Sequence, residues 1–445
     1  MSRGLLLAAP ASGSGKTVLT LALLRALRRR GVALRSAKSG PDYIDPDYHR
    51  LASGSACVNL DGWAMSAQRL AGLAANGVEG PTGPDAPLLV VEGAMGLFDG
   101  AVPDAAGSSA ALAKTLGLPV VLIVDCARQG QSVAALISGF ARFDPDLHLA
   151  GVLLNRVGSE RHAQMLQDAI GRHLPDLPVL GCVYRSDALA LPDRHLGLVQ
   201  AREHADIDAF LDGAATELDA RIDIRALVAS AAPVRHGNTP RLPLRPPGQR
   251  IAVARDDAFA FAYPHLLQGW RDGGASISFF SPLADDAPDE AADAVYLPGG
   301  YPELHAGRLA AAGRFRAAMR SAAERGLPVY GECGGFMVLG QSLTDADGTD
   351  HPMLGLLDLE TDFSARRRQL GYRRAVPRGG DWFGSQSGPW RAHEFHYATI
   401  RRQAGMPLFE VSDAAGTVLG PAGLQHGSVS GSFIHLIAPE EDAVI

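Results

Sequence analysis

The sequence has few cysteines, no long apolar run and no excess of positive charge. Its 445 residues include only Cys57, Cys126, Cys182 and Cys333, which are far apart and form no CxxC pair. This spacing excludes a cysteine-based metal site and favours a reducing compartment, the cytoplasm. No segment approaches the roughly 20 apolar residues that span a bilayer, and no secretory signal is recognised, so we expect no membrane association. The net charge of −7 argues against nucleic-acid binding.

The composition and patterning that are present predict two domains. Hydrophobic residues make up 47% of the chain and charged residues 20%, which is enough apolar material for buried sheets. Apolar strand candidates alternate with helical patterns, and this alternation predicts parallel sheets covered by helices on both faces. The stretch 231–249 is rich in Pro and basic residues and lacks periodicity, which predicts a linker. We therefore expect an α/β fold class, with doubly wound domains over residues 1–230 and 250–445.

The predicted elements are short and regularly spaced. In the first domain the strand candidates are 5–8, 33–37, 88–91, 120–124 and 151–154, and the helical candidates are 17–30, 108–116 and 161–173. In the second domain the strand candidates are 251–254, 294–297 and 329–330, and a single helix is predicted over 306–325.

A phosphate-binding loop is predicted between the first strand and the first helix. In the segment APASGSGKT (9–17), glycines allow backbone N–H groups to turn toward a phosphate, and the helix N-terminus adds positive potential. Lys16 can reach the β- and γ-phosphates, and the Thr17 hydroxyl can bind Mg²⁺. The loop departs from GxxxxGK[ST] because Pro10 stands where the first Gly would be. An ordinary Gly-rich turn is the alternative, which the strand, the helix and GKT together disfavour.

Charged residues near two other strands strengthen this prediction. Glu92 ends the strand candidate 88–91, where a second Mg²⁺ ligand is needed. Lys38 follows the second strand and could neutralise charge on a transferring phosphoryl group, although alone it is equally compatible with a solvated loop lysine. Asp42 is a further candidate metal ligand.

Two groups of aspartates have both a structural and a functional interpretation. Asp42, Asp45 and Asp47 lie in the segment PDYIDPDYH, which is either a polar turn fixed by its prolines or a loop that binds Mg²⁺ and substrate. Asp99, in GLFDG, is either a turn aspartate or a carboxylate of the substrate site.

Cys333 is predicted to be a nucleophile because it lies in GxCxG between a strand and a helical run. Flanking glycines permit the sharp turn that exposes a nucleophile, and the helix N-terminus is expected to lower the pKa of the thiol. The other three cysteines are interpreted as small buried apolar residues. Candidate bases in the same half are His351, His393, His396, His426 and His435. His435 is preferred because it ends an apolar, strand-like stretch.

A Pro-Gly-Gly segment, 298–300, follows the strand candidate 294–297. Its backbone N–H groups could form an oxyanion hole for a thioester-forming reaction, with Gly299, Gly300 and Gly334 as the candidates. A plain strand-end turn is the alternative, and only the presence of Cys333 favours the oxyanion hole.

Together these segments resemble the a,c-diamide synthases that act on cobyrinic or hydrogenobyrinic acid in corrinoid (cobalamin) biosynthesis. The collinear motifs are APASGSGKT (9–17), KSGPDYIDPDYH (38–49), VEGAMGLFDG (91–100), LNRVGSERH (154–162), YLPGGYPELH (296–305), YGECGGFM (330–337) and HEFHY (393–397). The resemblance implies a dethiobiotin-synthetase-like P-loop domain followed by a class I glutamine amidotransferase domain of flavodoxin-like topology.

The resemblance also implies roles for particular residues. The nucleophile is matched by Cys333 and its activating histidine by His435, whereas the glutamate that class I enzymes carry two residues after the histidine is replaced by Ile437. The roles of Glu394 and His396 are left open. The implied ATP-binding residues are Gly13, Ser14, Gly15, Lys16, Thr17, Lys38 and Asn155, of which Asn155 contacts the adenine. The implied Mg²⁺ ligands are Thr17, Asp42 and Glu92. The resemblance also implies that Asp45 and Asp99 lie near the tetrapyrrole carboxylate.

The expected activity is amidation of the a and c acetate side chains through an acyl phosphate. ATP, glutamine and the corrinoid are the expected substrates and Mg²⁺ the expected cofactor, and a homodimer is left open. The nickel-sirohydrochlorin a,c-diamide synthase is the nearest alternative. A nucleotide-switch protein of the ParA/MinD type is disfavoured, because it gives Cys333 no purpose and because position 11 is Ala.

Overall fold

The computed structural model describes residues 2–76, 87–190, 206–235, 243–379, 382–383 and 388–440, together with a strand pair at 193–194 and 197–198. The chain divides into two compact units, Met1–Arg241 and Leu242–Ile445. The bounds 1–230, 231–249 and 250–445 stay predictions. Leu244, from the predicted linker, is buried in the second unit, and its backbone N–H donates to the carbonyl of Gly269 at 2.9 Å.

The first unit contains ten strands and eight α-helices within its described residues. The strands are β1 Arg3–Ala8, β2 Leu34–Ser39, β3 Cys57–Leu60, β4 Leu88–Glu92, β5 Val120–Asp125, β6 Leu149–Val157, β7 Val179–Tyr184, β8 Asp193–Arg194, β9 Gly197–Leu198 and β10 Ala232–Pro233. The helices are α1 Lys16–Arg29, α2 Asp45–Ser53, α3 Ala67–Asn76, α4 Ser109–Leu116, α5 Val133–Phe143, α6 Glu160–His173, α7 Ile207–Asp219 and α8 Ile224–Ala229.

The central sheet of this unit has the order β3-β2-β4-β1-β5-β6-β7, with β10 added antiparallel to β1. All neighbours along the main path are parallel. The carboxyl ends of β1, β2 and β4 therefore lie side by side. Ligands of open parallel sheets bind at this edge, so the order brings the phosphate loop, Lys38 and Glu92 together.

The strands form because their apolar residues are buried on both faces of the sheet. Leu5 and Leu7 pack with residues of α1, α2, α7 and α8 in one core cluster, whereas Leu6, which alternates with them, faces the other side and is also fully buried. The predicted parallel α/β sheet is confirmed. None of the described helices is long and apolar enough to cross a bilayer.

The second unit contains fifteen strands and four α-helices within its described residues. The strands are β11 Arg250–Ala254, β12 Ser276–Phe280, β13 Ala294–Leu297, β14 Val329–Glu332, β15 Ser342–Thr344, β16 Asp350–Pro352, β17 Leu359–Asp362, β18 Gln369–Pro377, β19 Trp390–His396, β20 Thr399–Gln403, β21 Phe409–Asp413, β22 Val418–Ala422, β23 Leu424–His426, β24 Val429–Ser432 and β25 Ile434–Pro439. The helices are α9 Pro264–Asp272, α10 Ala306–Ala311, α11 Gly313–Glu324 and α12 Gly334–Leu339.

Its main sheet has the order β12-β11-β13-β14-β24-β23, in which β23 is antiparallel and the other neighbours are parallel. A five-stranded antiparallel sheet, β22-β21-β18-β19-β25, and a four-stranded sheet, β16-β15-β17-β20, are added to it. Only Phe433 separates β24 from β25, so the chain passes from the main sheet to the antiparallel sheet beside β14, the strand that precedes Cys333.

The single helix predicted over 306–325 is wrong in one respect, because it is two helices. Ala312 has φ −72° and ψ +81°, which lies outside the helical region and separates α10 from α11. Gly313, a poor helix former, begins the second helix there. The two helices keep Leu309 and Phe315 buried, so the apolar pattern that suggested one helix is satisfied by both.

Candidate functional site

The predicted phosphate loop joins β1 to α1, and two of its glycines have left-handed backbone conformations. Gly13 has φ +78° and Gly15 has φ +87°. A side chain at position 15 is excluded twice, since a Cβ there would be strained by the left-handed backbone and would overlap Nδ2 of Asn155. The Ser14 hydroxyl donates to the carbonyl of Ala11 at 2.8 Å, which closes the loop on itself.

Asn155, at the end of β6, supports this loop directly. Its side-chain Nδ2 donates to the carbonyl oxygen of Ser14 at 2.9 Å, and only 5% of the residue is exposed. The neighbouring Arg156 donates to the carbonyl of Gly13 at 2.9 Å and pairs with Asp125 at 2.6 Å. The predicted adenine contact of Asn155 stays a prediction; the structure adds a role in holding the loop.

Lys16 and Thr17 begin α1 and face the ends of the neighbouring strands. Lys16 Nζ donates to the carbonyl of Met95 at 2.6 Å, and burial is the main cause that lowers its pKa. Thr17 Oγ1 donates to Glu92 Oε1 at 2.7 Å and lies 3.4 Å from Asp45 Oδ2. The helix thus begins among carbonyl and carboxylate oxygens. A nucleotide phosphate could replace the Met95 carbonyl as acceptor for Lys16, and a cation could bind the carboxylate oxygens near Thr17.

Lys38 is not a solvated loop residue, because it lies within β2 and is 5% exposed. Its Nζ pairs with Asp45 at 2.5 Å and with Glu92 at 2.7 Å. His49 Nε2 lies 2.6 Å from the other oxygen of Glu92, and both side chains are fully buried. Glu92, at the end of β4, is thus held between two groups that favour its negative charge.

The charges of this cluster are set by burial and by each other. Burial opposes the charge of Glu92, but Lys38 and His49 hold its pKa below the usual range. Burial also opposes charge on Lys38, and Asp45 and Glu92 nevertheless raise its pKa. Burial, and then the charge of Asp42, raises the pKa of Asp45. The cluster therefore combines a fixed cation with carboxylate oxygens beside the phosphate loop.

The structure brings Asp45 rather than Asp42 into contact with Thr17. Asp42 Oδ1 accepts from the backbone N–H of Ile44 at 2.8 Å and of Asp45 at 3.2 Å, so this oxygen fixes the turn that begins α2. Asp99 Oδ2 accepts from the backbone N–H of Gly96 at 2.8 Å, and Asp99 is exposed. The turn interpretation applies to both residues, and their predicted ligand contacts stay predictions.

In the second unit, Cys333 occupies a sharp turn between β14 and α12. Its backbone has φ +49° and ψ −100°, an unusual conformation for a residue other than Gly. The residue is 6% exposed, and its Sγ lies 3.9 Å from the carbonyl oxygen of Phe395. This is the nucleophile elbow that the GxCxG pattern predicts.

The prediction of a lowered thiol pKa for Cys333 is wrong. Burial, followed by the charges of Glu303 and Glu332, raises the pKa of Cys333, and these effects exceed the stabilisation from the Gly334 backbone N–H. A nucleophilic role for this thiol would therefore require a base. Burial similarly raises the pKa of Cys126 to about 12 and raises that of Cys182, which agrees with their assignment as buried apolar residues.

His435 is the histidine that the fold places beside Cys333. It lies in β25 and is 1% exposed. A Cβ built on Gly299 would lie 2.7 Å from His435 Cε1 and 3.4 Å from Cys333 Cβ, so both residues contact the space above Gly299. A Cβ at position 299 would overlap the His435 ring and touch Cys333, so glycine leaves room for the ring there.

Sequence reasoning missed the carboxylate that contacts this histidine. Glu332 Oε1 lies 3.2 Å from His435 Nδ1, and Glu332 Oε2 accepts from the backbone N–H of Leu436 at 3.1 Å. The acidic residue in GECGG was the available signal. Its contact with His435 depends on the pairing of β14 with β24, in which Glu332 lies opposite Ser432, three residues before His435.

The other candidate bases have different surroundings. His351 pairs with Asp345 at 2.7 Å, and His426 is exposed on β23. His396 is bound through both ring nitrogens, to the carbonyl of Ala398 at 2.9 Å and to Glu394 at 3.1 Å. Burial, and then His435, lowers the pKa of His393 to about 3.

Glu394, whose role the sequence left open, also pairs with Arg373 at 2.7 Å. The other oxygen of Glu394 lies 3.1 Å from His396 Nε2. Glu394 and His396 therefore support the antiparallel sheet at β18 and β19.

The predicted oxyanion residues converge around the nucleophile. A Cβ on Gly334 would lie 2.9 Å from the backbone nitrogen of Gly300, so the two backbones pass very close. Gly335 N–H donates to the carbonyl of Pro298 at 3.1 Å, which fixes the elbow against the Pro-Gly-Gly segment. An oxyanion hole formed by Gly299, Gly300 and Gly334 stays a prediction.

Comparisons with known proteins match both domains. The CobQ/CobB/MinD/ParA nucleotide binding domain matches residues 5–199, and the CobB/CobQ-like glutamine amidotransferase domain matches residues 250–443. A hydrogenobyrinate a,c-diamide synthase of Brucella anthropi is 58% identical over 98% of both chains. A protein of the same name from a Sinorhizobium species is 57% identical over 98% of both chains. Another from Mesorhizobium japonicum is 50% identical over 98% of this chain and 99% of its own.

The two domains and their sites define a glutamine-dependent amidotransferase with a P-loop nucleotide-binding domain. The chain belongs to the a,c-diamide synthase family and is a carbon–nitrogen ligase that takes its nitrogen from glutamine. A ParA/MinD-type switch protein is excluded, because the relatives match along nearly the whole chain, including the amidotransferase domain.

Proposed function

We propose that the enzyme amidates the a and c acetate carboxylates of hydrogenobyrinic acid, using ATP and glutamine. The observation that carries this proposal is the identity of 57–58% to relatives named hydrogenobyrinate a,c-diamide synthase, over 98% of the chain. Cobyrinic acid, the cobalt-containing counterpart, and nickel-sirohydrochlorin are the alternative substrates. A homodimer stays a prediction.

In the first domain, the proposed reaction is transfer of the γ-phosphoryl group of ATP to an acetate carboxylate. A carboxylate oxygen attacks the γ-phosphorus, the bond to the β-phosphate oxygen breaks, and ADP leaves. The result is an acyl phosphate, which has the leaving group that a free carboxylate lacks. Lys16 and Lys38, both buried at the carboxyl edge of the sheet, would bear the charge of the transferring group.

Mg²⁺ fits the oxygen donors at this edge. The Thr17 hydroxyl meets Glu92 Oε1 at 2.7 Å and Asp45 Oδ2 at 3.4 Å, and hydroxyl and carboxylate oxygens are the ligands that Mg²⁺ prefers. Among the described residues, no group of three or more His, Cys, Asp or Glu side chains forms a metal site by itself, so nucleotide phosphates would complete the coordination. We propose Thr17, Glu92 and Asp42 or Asp45 as the protein ligands; the bound ion would neutralise phosphate charge.

Asp45 and Asp99 are proposed to lie near the tetrapyrrole carboxylate. Asp45 is buried beside Lys38, whereas Asp99 is exposed on the loop that carries Met95, the partner of Lys16. In the proposed mechanism, one carboxylate would lie inside the phosphate-transfer site and one at its surface. Such an arrangement suits a large substrate that presents only one side chain at a time.

In the second domain, glutamine is proposed to lose its side-chain amide as ammonia. Cys333 Sγ attacks the amide carbon while its proton passes to His435, which then protonates the leaving nitrogen. Water, deprotonated by the same histidine, hydrolyses the thioester and releases glutamate. Ammonia attacks the acyl phosphate in the first domain, phosphate leaves, and a carboxamide forms.

The deciding experiment is mass spectrometry of the products formed with ATP, Mg²⁺ and glutamine. Hydrogenobyrinic acid, cobyrinic acid and nickel-sirohydrochlorin are offered in parallel. We expect hydrogenobyrinic acid to become its diamide, about 2 Da lighter because each carboxyl OH is replaced by NH₂. Efficient conversion of another substrate with none of hydrogenobyrinic acid would overturn the assignment of substrate.

A further inference from the structure

The carboxylate of Glu332 is fixed directly behind the proposed catalytic histidine. Its Oε1 lies 3.2 Å from His435 Nδ1 and accepts from the Tyr296 hydroxyl at 3.1 Å, while Oε2 accepts from the Leu436 backbone N–H at 3.1 Å. Glu332 is 1% exposed. A buried carboxylate with partners on both oxygens has little freedom to turn, so its contact with His435 is constrained.

This contact determines which nitrogen of His435 carries the proton. A neutral imidazole has one N–H and one bare nitrogen, and a carboxylate only accepts hydrogen bonds. Glu332 therefore selects the tautomer that carries its proton on Nδ1, in which Nε2 is unprotonated. Cε1, the ring atom between the two nitrogens, lies against Gly299, which Cys333 also adjoins. Because Nδ1 faces Glu332, Nε2 is the nitrogen left to exchange a proton with Cys333.

Tyr296 keeps Glu332 in its role as an acceptor. Burial, and then the negative charge of Glu332, raises the pKa of the Tyr296 hydroxyl well above its ordinary value. Tyr296 is thus a permanent donor to Oε1. The ring is held by its neighbours, stacked on Tyr330 at 6.1 Å and edge-on to Trp270 at 5.6 Å between ring centroids.

We infer that Glu332 is the positioning residue of glutamine hydrolysis, replacing the carboxylate that other class I amidotransferases carry two residues after the histidine. That position is Ile437 here, which is fully buried and apolar. The carboxylate comes instead from the residue before the nucleophile, because β14 and β24 pair with Glu332 opposite Ser432. This inference rests on the proposed roles of Cys333 and His435.

The role fits the proton transfers of the reaction. When Cys333 attacks glutamine, its proton moves to Nε2 of His435, and Nδ1–H stays hydrogen-bonded to Glu332. The positive charge of the imidazolium thus forms beside a fixed negative charge. The proton then leaves with ammonia, and Glu332 itself gains and loses none.

The test compares Glu332→Gln, which keeps the size of the side chain but removes its charge, with the conservative Glu332→Asp and with Tyr296→Phe. Amidation is measured with glutamine and with ammonium chloride as nitrogen source. For Glu332→Gln we expect glutamine-dependent kcat to fall about 100-fold or more, KM for glutamine to change less than about threefold, and ammonia-dependent activity to persist. Glu332→Asp should recover part of the loss, and Tyr296→Phe should cost only a few-fold.

The tautomer of His435, observed by spectroscopy, distinguishes a positioning role of Glu332 from a purely structural role. With ¹⁵N-labelled histidine, and His435→Gln to assign the signals, the wild type should show protonated Nδ1 and bare Nε2, and Glu332→Gln should show a mixture. A Glu332→Gln enzyme with near-normal glutamine use would overturn the inference, as would equal loss of ammonia-dependent activity, which would mark Glu332 as structural. If Cys333→Ala still uses glutamine, the proposed function itself fails, which is a distinct result.

Discussion

His49 and Glu92 form a fully buried pair, with 2.6 Å between His49 Nε2 and Glu92 Oε2. Glu92 Oε1 is meanwhile shared by Thr17 and Lys38 at 2.7 Å each. One carboxylate oxygen thus contacts Thr17 of α1 and Lys38 of β2, and the other contacts His49 of α2. Although burial opposes it, Cys57 and Glu92 raise the pKa of His49 to about 10, which favours an ion pair with Glu92.

Replacing His49 with Ala should therefore destabilise the first domain. The change leaves a buried carboxylate oxygen without its partner and opens a cavity, which costs about 3 kcal/mol. We expect the calorimetric unfolding midpoint of this domain to fall by about 5–10 °C. Asp47→Asn, on the same helix but partly exposed, is the control and should shift the midpoint by less than about 2 °C. An unchanged midpoint in His49→Ala would show that the pair contributes no stability.

Lys16→Ala should abolish amidation with either nitrogen source. Lys16 begins α1, with its amine buried beside the loop of Met95, where the proposed phosphoryl transfer takes place. Loss of a buried charge at this step costs about 10²–10³-fold in kcat. Lys114→Ala removes a partly exposed lysine paired with Asp144 and should leave kcat within about twofold. Normal turnover by Lys16→Ala, measured with glutamine and with ammonia, would contradict the P-loop assignment.

The contact between Gly15 and Asn155 makes a double-mutant cycle informative. Gly15→Ala should weaken ATP binding about 30-fold or more, because the added methyl group meets the Asn155 amide and the backbone is strained at φ +87°. Asn155→Ala removes the overlap, so the same change in that background should cost only about fivefold. Calorimetric titration with ATP yields the coupling, which we expect to be about 1 kcal/mol. Strictly additive effects would mean that the loop adjusts without Asn155.

Much of the first site was predictable, because a P-loop is a local motif. The sequence places Lys16 and Thr17 on a strand–loop–helix unit, and parallel strand order brings Glu92 to the same edge. The contact of Thr17 with Asp45 rather than Asp42 depends on how one turn is fixed, which spacing does not reveal. The contribution of His49 was likewise hidden, since a histidine within a helix has no distinctive pattern.

The second site shows a different limit. Cys333 was identified from GxCxG. The role of Glu332 is visible only in the fold, because the pairing of β24 with β14 brings His435 beside it. No local sequence pattern predicts such long-range pairing of strands. The thiol pKa was misjudged for a related reason: the helix N-terminus is visible in the sequence, but the burial that outweighs it is not.

Cys333→Ala should lose glutamine-dependent amidation and keep the ammonia-dependent reaction. The sulfur is needed only to release nitrogen from glutamine, and the acyl phosphate is formed in the other domain. We expect glutamine-dependent kcat to fall by about 10³-fold or more, with ammonia-dependent kcat within about threefold. Cys182→Ala, a buried thiol in β7, is the matched control and should retain both activities. Loss of both activities in a folded Cys333→Ala enzyme would assign the thiol a different role.

Glu303 makes the stability of the second domain dependent on pH. It lies in the short turn Pro302–Leu304, is 7% exposed, and its pKa is raised by burial from the ordinary 4.5 to about 8. In the folded enzyme the carboxyl thus keeps its proton up to about pH 8, whereas the unfolded chain loses it near pH 4.5. Between these values the folded state binds more protons, so the free energy of unfolding falls as pH rises.

Glu303→Gln should remove this dependence, because the amide is neutral at every pH. The variant should be more stable than the wild type at pH 8.5 by a few kcal/mol, and the difference should shrink toward pH 5, where the wild-type carboxyl is also neutral when folded. Unfolding midpoints from pH 5 to 9 measure the effect, with Glu290→Gln as the control at an exposed carboxylate. If the midpoints of Glu303→Gln and wild type run parallel across this range, Glu303 is ionised in the folded enzyme, and a partner for its charge must exist near Cys333.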